Sequence, residues 1–173
     1  MDFRVGRWPF APRFKFSDWN RKEETDETFG ATLENGGESP FLRTGDLGFL
    51  KNGELFVTGR IKDMMIFRGQ NHYPQDIEFT VTQSHSSLQP DGCAAFSIEV
   101  EGEERLVVIV EVVRHRLLDA SSLKETIACA ILEHHELQAY AICFVNLYGF
   151  KKTANGKVQR KRCKAAFLEG TLE

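Results

Sequence analysis

No apolar run in the sequence approaches the roughly 18 residues a membrane-spanning helix needs, and the N-terminus lacks the apolar stretch of a signal peptide. These absences point to a cytoplasmic protein. There is no CxxC pair: Cys93, Cys129, Cys143 and Cys163 are widely spaced, and none pairs with a nearby histidine. That pattern fits neither a zinc site nor a disulfide framework, so four reduced thiols, mostly buried, are expected and no metal site. His134 and His135 are adjacent rather than a helical turn apart, so they cannot share one helical face as a metal pair. They read as the exposed end of a helix. Positive charge is not in excess: 22 Lys and Arg against 25 Asp and Glu leave a net charge of -3, with a pI near 6.0. A dedicated nucleic-acid binder carries the opposite balance. Internal repeats and low-complexity tracts are absent too.

What remains is an ordinary soluble composition, 42% apolar and 27% charged, in 173 residues. That length suits one domain with an appendage. Residues 1–40 show no clean hydrophobic period and predict no core of their own, so they are expected to be poorly ordered. From Phe41 to Gly59 the pattern alternates around Asn52-Gly53, the strongest short-range hairpin signal. From about Ile61 the chain reads as a compact α+β unit. Met64 to Phe67 is a short strand, and a helix opens at Pro74 with Ile77 and Val81 on one face. Strands over about 93–100 and 104–113 flank a turn at Glu101-Gly102. Ser122-Leu123-Lys124-Glu125 reads as a capping box before a helix that aligns Leu123, Ile127 and Ile131. A strand from Tyr140 to Leu147, a basic loop over 151–162 and a short amphipathic helix through Ala166, Phe167 and Leu168 complete the chain.

Three segments carry chemistry: TGDLG at 44–48, GRIKDMMIFRGQNHYPQDIE at 59–78, and KKTANGKVQRKRC at 151–163. A carboxylate fixed beside a glycine turn, as Asp46 is, can accept both hydroxyls of a ribose, and the planar fork of Arg60 can reach the same sugar. Taken alone, the two are equally a capped turn and a surface ion pair. Gly69 to Asn71 invites a tight turn, either beside a ligand or as a plain strand-to-helix connection. Lys157, next to Gly156 in a loop of small residues, suits delivery of a point charge to an anionic reaction centre. It lies among Lys151, Lys152, Arg160, Lys161, Arg162 and Lys164, which could also be a solvated tail or a nucleic-acid patch.

In their order and spacing, TGDLG, GRxKD, GxNxxPxxIE and KTxxGKxxR resemble the last core motifs of the adenylate-forming superfamily of acyl-CoA synthetases, peptide-synthetase adenylation domains and luciferases. FLRTGDLGFL and RGQNHYPQDIE look most like the fatty acyl-AMP ligases, chiefly through His72-Tyr73-Pro74-Gln75-Asp76. The resemblance covers about residues 19–170 and implies three parts: an irregular segment 1–40, a β-hairpin remnant of the large N-terminal domain at 41–61, and a C-terminal lid at 62–173. The lid would hold a short β-hairpin and a mixed three-stranded sheet flanked by helices. By the resemblance Asp46 and Arg60 match the ribose-binding pair, Lys62 is the hinge with Asp63 beside it, and Gly69, Gln70 and Asn71 lie on the acyl-transfer face. Lys157 matches the lysine of the first half-reaction, in which a carboxylate attacks the α-phosphorus of ATP, supplied with Mg. The acyl group then passes to the phosphopantetheine thiol of an acyl carrier protein.

Two other readings use the basic 151–164 run: a stand-alone module docking an acidic carrier protein, or a nucleic-acid-binding module that the net charge disfavours. Ala154-Asn155 replaces the usual small hydroxyl residues before Gly156-Lys157. Residues 1–18 do not resemble what precedes the Trp19-Asn20 motif, and the Gly/Ser/Thr-rich phosphate loop, the acyl tunnel and the adenine-stacking segment are missing from the sequence. The chain by itself is therefore expected to show no carboxylate-dependent ATP–pyrophosphate exchange. Robust exchange by the purified 173-residue chain contradicts this.

Overall fold

The computed structural model describes residues 4–5, 22–30, 42–113, 119–147, 149–150, 152–154 and 156–172. The expectation of disorder over 1–40 falls mostly outside them. The chain divides into two compact units, 1–62 and 63–173.

In the first unit, β2 (Asp46–Lys51) and β3 (Glu54–Arg60) form the antiparallel hairpin that Asn52-Gly53 predicts. Both turn residues have positive φ, 54° and 80°, which matches the right-handed twist of the strands. β1 (Arg4–Val5) pairs with the outer side of β2. The polar stretch after residue 21 contains a helix, α1 (Lys22–Phe29), that shows no apolar period in sequence. Good helix formers favour it locally: Lys22 and Glu23 open it, and acidic residues favour a helix N-terminus. Its last turn is held by Arg43, whose amide donates to the Thr28 carbonyl at 2.7 Å and whose guanidinium lies 3.6 Å from Glu27.

The second unit is mixed α+β. The hairpin β4 (Met65–Phe67) to β5 (Gln70–His72) leads into α2 (Pro74–Ser84). The long hairpin β6 (Leu88–Val100) to β7 (Glu103–Val112) follows, then α3 (Ala120–His135), β8 (Ala139–Asn146) and α4 (Arg160–Glu169). The sheet order is β6-β7-β8, with β6 antiparallel and β8 parallel to the central β7. A parallel neighbour needs a crossover, and α3 supplies it.

Central β7 is apolar on both faces from Leu106 to Val110, as suits a strand covered on both sides, and Glu111 is the buried exception. Leu106, Val108, Val110 and Val112 pack with Ile77 and Val81 of α2 and Leu123, Ile127 and Ile131 of α3. Val107 and Ile109 pack on the opposite face with Phe96, Phe150 and Cys163 of α4. The residues predicted to face the core from α2 and α3 do so.

Some boundaries differ from those expected. α3 starts earlier than Ser122: Asp119 is its cap, accepting the Ser121 amide at 3.0 Å. A carboxylate at that position is a strong acceptor for an orphan helix N–H, and Ala120 extends the helix readily. β6 begins at Leu88 rather than near 93, because a bulge over Gln89–Gly92 carries Pro90 and lets Leu88 pair with Val112. His134 is exposed as expected, but His135 is half-buried, with Nε2 2.8 Å from the Thr80 hydroxyl of α2. Of the thiols, Cys93 and Cys163 are buried, Cys143 is half-buried and Cys129 is exposed, and all four are free.

His135 is held below its ordinary value near 6.5 by burial first, and then by neighbouring His72. Burial also lowers His72, whose Nε2 is buried without a hydrogen-bond partner among the described residues. The unfolded chain therefore takes up protons at these sites before the folded one does, so their contribution is complete above about pH 6.5 and is lost as pH falls below it. Urea unfolding should show lower stability at pH 5.5 than at 7.5, with a smaller difference in His135→Gln. Equal pH dependence in the two proteins would rule out this origin.

Candidate functional site

The motif residues of the first unit meet at the open end of its hairpin. Asp46 and Arg60 are directly paired across β2 and β3, which puts Arg60 Nε 3.2 Å from Asp46 Oδ1. The Asp46 amide is held by the Thr44 hydroxyl at 3.1 Å, and Gly45, with φ 75°, turns the chain into the strand. Arg60 is 69% exposed and Asp46 28% exposed, so the pair adds little stability, ~1 kcal/mol or less. It presents a carboxylate and a guanidinium side by side at a surface.

Lys62 is exposed and lies with Asp63 in a 3₁₀ turn, Ile61–Asp63, across which the boundary between the two compact units falls. Gly69 does not sit in a strand-to-helix connection. With Arg68 it forms the two-residue turn of the β4–β5 hairpin, both at positive φ (51° and 79°), and Gln70 and Asn71 belong to β5. Gly69, Gln70 and Asn71 are all exposed.

Lys157 lies in a tight turn closed from both sides. The Thr153 amide donates to the Lys157 carbonyl at 2.8 Å, and the Lys157 amide donates to the Thr153 hydroxyl at 3.2 Å. The Gly156 amide donates to the Thr153 carbonyl at 2.9 Å, with Gly156 at φ 77°, where a side chain would be strained. Beneath this turn Lys152 bridges to Val158. The backbone is thus fixed while the Lys157 side chain is exposed, and among the described residues it makes no ion pair. Asn155 lies outside the described residues.

The basic run is not the uniform solvated patch its composition suggests. Arg160 Nε and Nη2 donate to the two oxygens of Glu78, each at 2.6 Å, and Nη1 lies 3.5 Å from Asp63. Glu78 Oε1 also accepts the Ala95 amide of β6 at 3.0 Å. Hydrogen bonding to Glu78 holds Arg160 above its ordinary pKa, so it is a fixed cation. Lys152 is likewise spent: its ammonium is 3.2 Å from buried Glu111. Burial, aided by Glu78, pushes the Cys163 thiol up to about 11, and burial also raises the Cys93 thiol well above its ordinary range. Neither is a thiolate nucleophile at neutral pH. Lys157 is therefore the cation of this loop best placed to act outward.

Sequence reasoning passed over Glu78, Arg160 and Glu111. Glu78 and Arg160 are the last residues of the GxNxxPxxIE and KTxxGKxxR motifs, and that shared terminal position was the available signal. Glu111 was visible as one acid within the apolar run Leu106 to Val113.

Residues 62–173 match the family described as Disco-interacting protein 2-like, AMP domain. The chain is 51% identical over 168 residues to the medium-chain-fatty-acid–[acyl-carrier-protein] ligase JamA of Moorena producens, covering 96% of this chain and 28% of that protein. It is 35% identical over 166 residues to the long-chain-fatty-acid–AMP ligase FadD26 of Mycobacterium marinum, covering 90% of this chain and 28% of the relative. The chain thus spans less than a third of the length of these curated relatives. The crystal structure of a fatty acid AMP ligase from Legionella pneumophila superposes with a TM-score of 0.53 at 41% identity, over 90% of this chain and 27% of that one. With all of its second compact unit inside the family match, the chain belongs to the Disco-interacting-protein-2-like AMP domains, in the fatty acyl-AMP ligase group of the AMP-binding superfamily.

Proposed function

We propose that this chain is the C-terminal portion of an enzyme that activates a fatty acid with ATP to acyl-AMP and passes the acyl group to an acyl carrier protein. In this reading residues 62–173 are a mobile lid. The observation that carries it is the exposed Lys157 on a doubly closed turn, with its basic neighbours Lys152 and Arg160 already neutralised by internal acids. A charge so placed serves a reaction in which two anions must meet. In adenylation the fatty carboxylate attacks the α-phosphorus and pyrophosphate leaves, so a cation bridging them offsets repulsion and stabilises the charge that develops. At ~4 Å and an effective dielectric near 20, that attraction is about 4 kcal/mol.

Asp46 and Arg60 suit the nucleotide's ribose. Asp46 Oδ1 is engaged by Arg60, and Oδ2 is left to accept sugar hydroxyls, with no partner among the described residues. ATP with its magnesium would enter as substrate, and the chemistry supplied by this chain is positioning and charge. The unit boundary at Lys62 supports a pivot there, with Asp63 moving with the lid. After rotation Lys157 would withdraw, and the exposed Gly69–Asn71 turn would face the phosphopantetheine thiol. The bare apolar side of the β2–β3 hairpin, with Leu50 at 70% and Val57 at 59% exposure, supports its packing in a larger sheet of the complete enzyme. The internal acids that engage Lys152 and Arg160 leave fewer free cations in the 151–164 run than a nucleic-acid patch would use.

In the complete enzyme Lys157→Ala should slow adenylation by about 100- to 1000-fold, the usual loss of ~2.7–4 kcal/mol for one preorganised electrostatic contact, while sparing transfer from preformed acyl-AMP. Pyrophosphate release and single-turnover transfer, measured side by side, decide this. Equal losses in both steps make Lys157 a general binding or structural residue instead.

A further inference from the structure

We infer that Glu111 is a positioning residue for adenylation, acting through Lys152 on the turn that carries Lys157; this rests on the role proposed above for Lys157. Glu111 sits on central β7, on the same face as Val107 and Ile109, and is the one fully buried charged residue among those described. An aliphatic residue would fill that place at no electrostatic cost, whereas a buried carboxylate must be compensated by good partners. Both partners belong to the lysine loop: the Phe150 amide donates to Oε1 at 3.2 Å and Lys152 Nζ to Oε2 at 3.2 Å.

The strand beside it is shaped to admit the carboxylate. A Cβ on Gly92, in the bulge of β6, would lie 2.9 Å from Glu111 Oε2 and 2.8 Å from Gln89 Cβ. The anchor therefore draws on three separated parts of the chain. From Lys152 its effect reaches Lys157 by a short path: Lys152 bridges to Val158, and the next rung joins Thr153 to Lys157 in both directions. Val158 packs into the same core face as Phe150, and two residues further on Arg160 is clamped by Glu78. Both strands of the turn are thereby fixed at the base while its tip projects. A charge displaced by about an ångström loses a large part of its catalytic effect, on the order of 100-fold in rate.

The experiment uses the full-length ligase carrying this chain, with Glu111→Gln, Lys157→Ala and the double variant. Glutamine keeps an acceptor for the Phe150 amide but removes the charge that holds Lys152. Glu111→Gln should lower kcat for pyrophosphate release by roughly 10- to 100-fold with little change in KM, and leave transfer from synthetic acyl-AMP intact. In the Lys157→Ala background it should have no further effect, which a merely structural role would not produce. If Glu111→Gln does not fold, Glu111→Gln with Lys152→Met, which removes both charges together, takes its place in the same cycle. Losses that multiply with Lys157→Ala, equal losses in both steps, or failure of both replacements to fold overturn the inference. Should Lys157→Ala impair adenylation while Glu111→Gln does not, only the role of Glu111 falls. Should Lys157→Ala leave adenylation intact, the reading of Lys157 fails and takes this inference with it.

Discussion

The fork-to-fork pair of Arg160 and Glu78 is the interaction on which the second compact unit depends. Its two bonds of 2.6 Å join the first turn of α4 to the middle of α2, elements on opposite faces of the sheet. Glu78 also takes the Ala95 amide, which ties the same carboxylate to the edge strand β6. Arg160 reaches on toward Asp63, where the unit begins. Charge-assisted bidentate pairs of this kind fix geometry as well as adding energy. Deleting one partner of a fully buried pair costs about 3–5 kcal/mol; here the cost should be lower, because Arg160 keeps 30% of its side chain exposed.

This pair and the buried Glu111 divide the work on the lysine loop. Glu111 holds the segment before the turn and Glu78 holds the segment after it, so two acids of the second unit neutralise two of the loop's cations and leave Lys157 to solvent. The arrangement takes two basic residues out of the run and leaves Lys157 exposed at the turn, with Lys161 and Arg162 exposed on α4.

Much of the second unit was legible because its signals are local. Alternation gave β6, a nearly unbroken apolar run gave β7, the i,i+4 stripes gave α2 and α3, and the turn around Gly102 brings φ positive at Glu101 and Gly102, as Asn52-Gly53 does in the first unit. The misreadings came where a stronger local partner or a distant one decides. Asp119 out-competed Ser122 as the α3 cap, whereas the tight turn expected at Gly69 is present and closes the β4–β5 hairpin. Arg160 looked solvated because its acid lies 82 residues away, and Glu111 drew no notice in an apolar strand because its partners lie 39 and 41 residues away. Helix α1 gave no periodic signal, since part of its support comes from Arg43 rather than from an apolar stripe of its own. Of the site, the chemistry-bearing residue types were visible in sequence, and the clamps that aim them were not.

If the Glu78–Arg160 pair holds the lysine loop and α4 in place, peptide-resolved hydrogen exchange on Arg160→Gln should be faster across residues 152–169 and at the Ala95 edge of β6, with α3 keeping the protection of the parent protein. Uniform loss of protection through α3, or no change in residues 152–169, would contradict it.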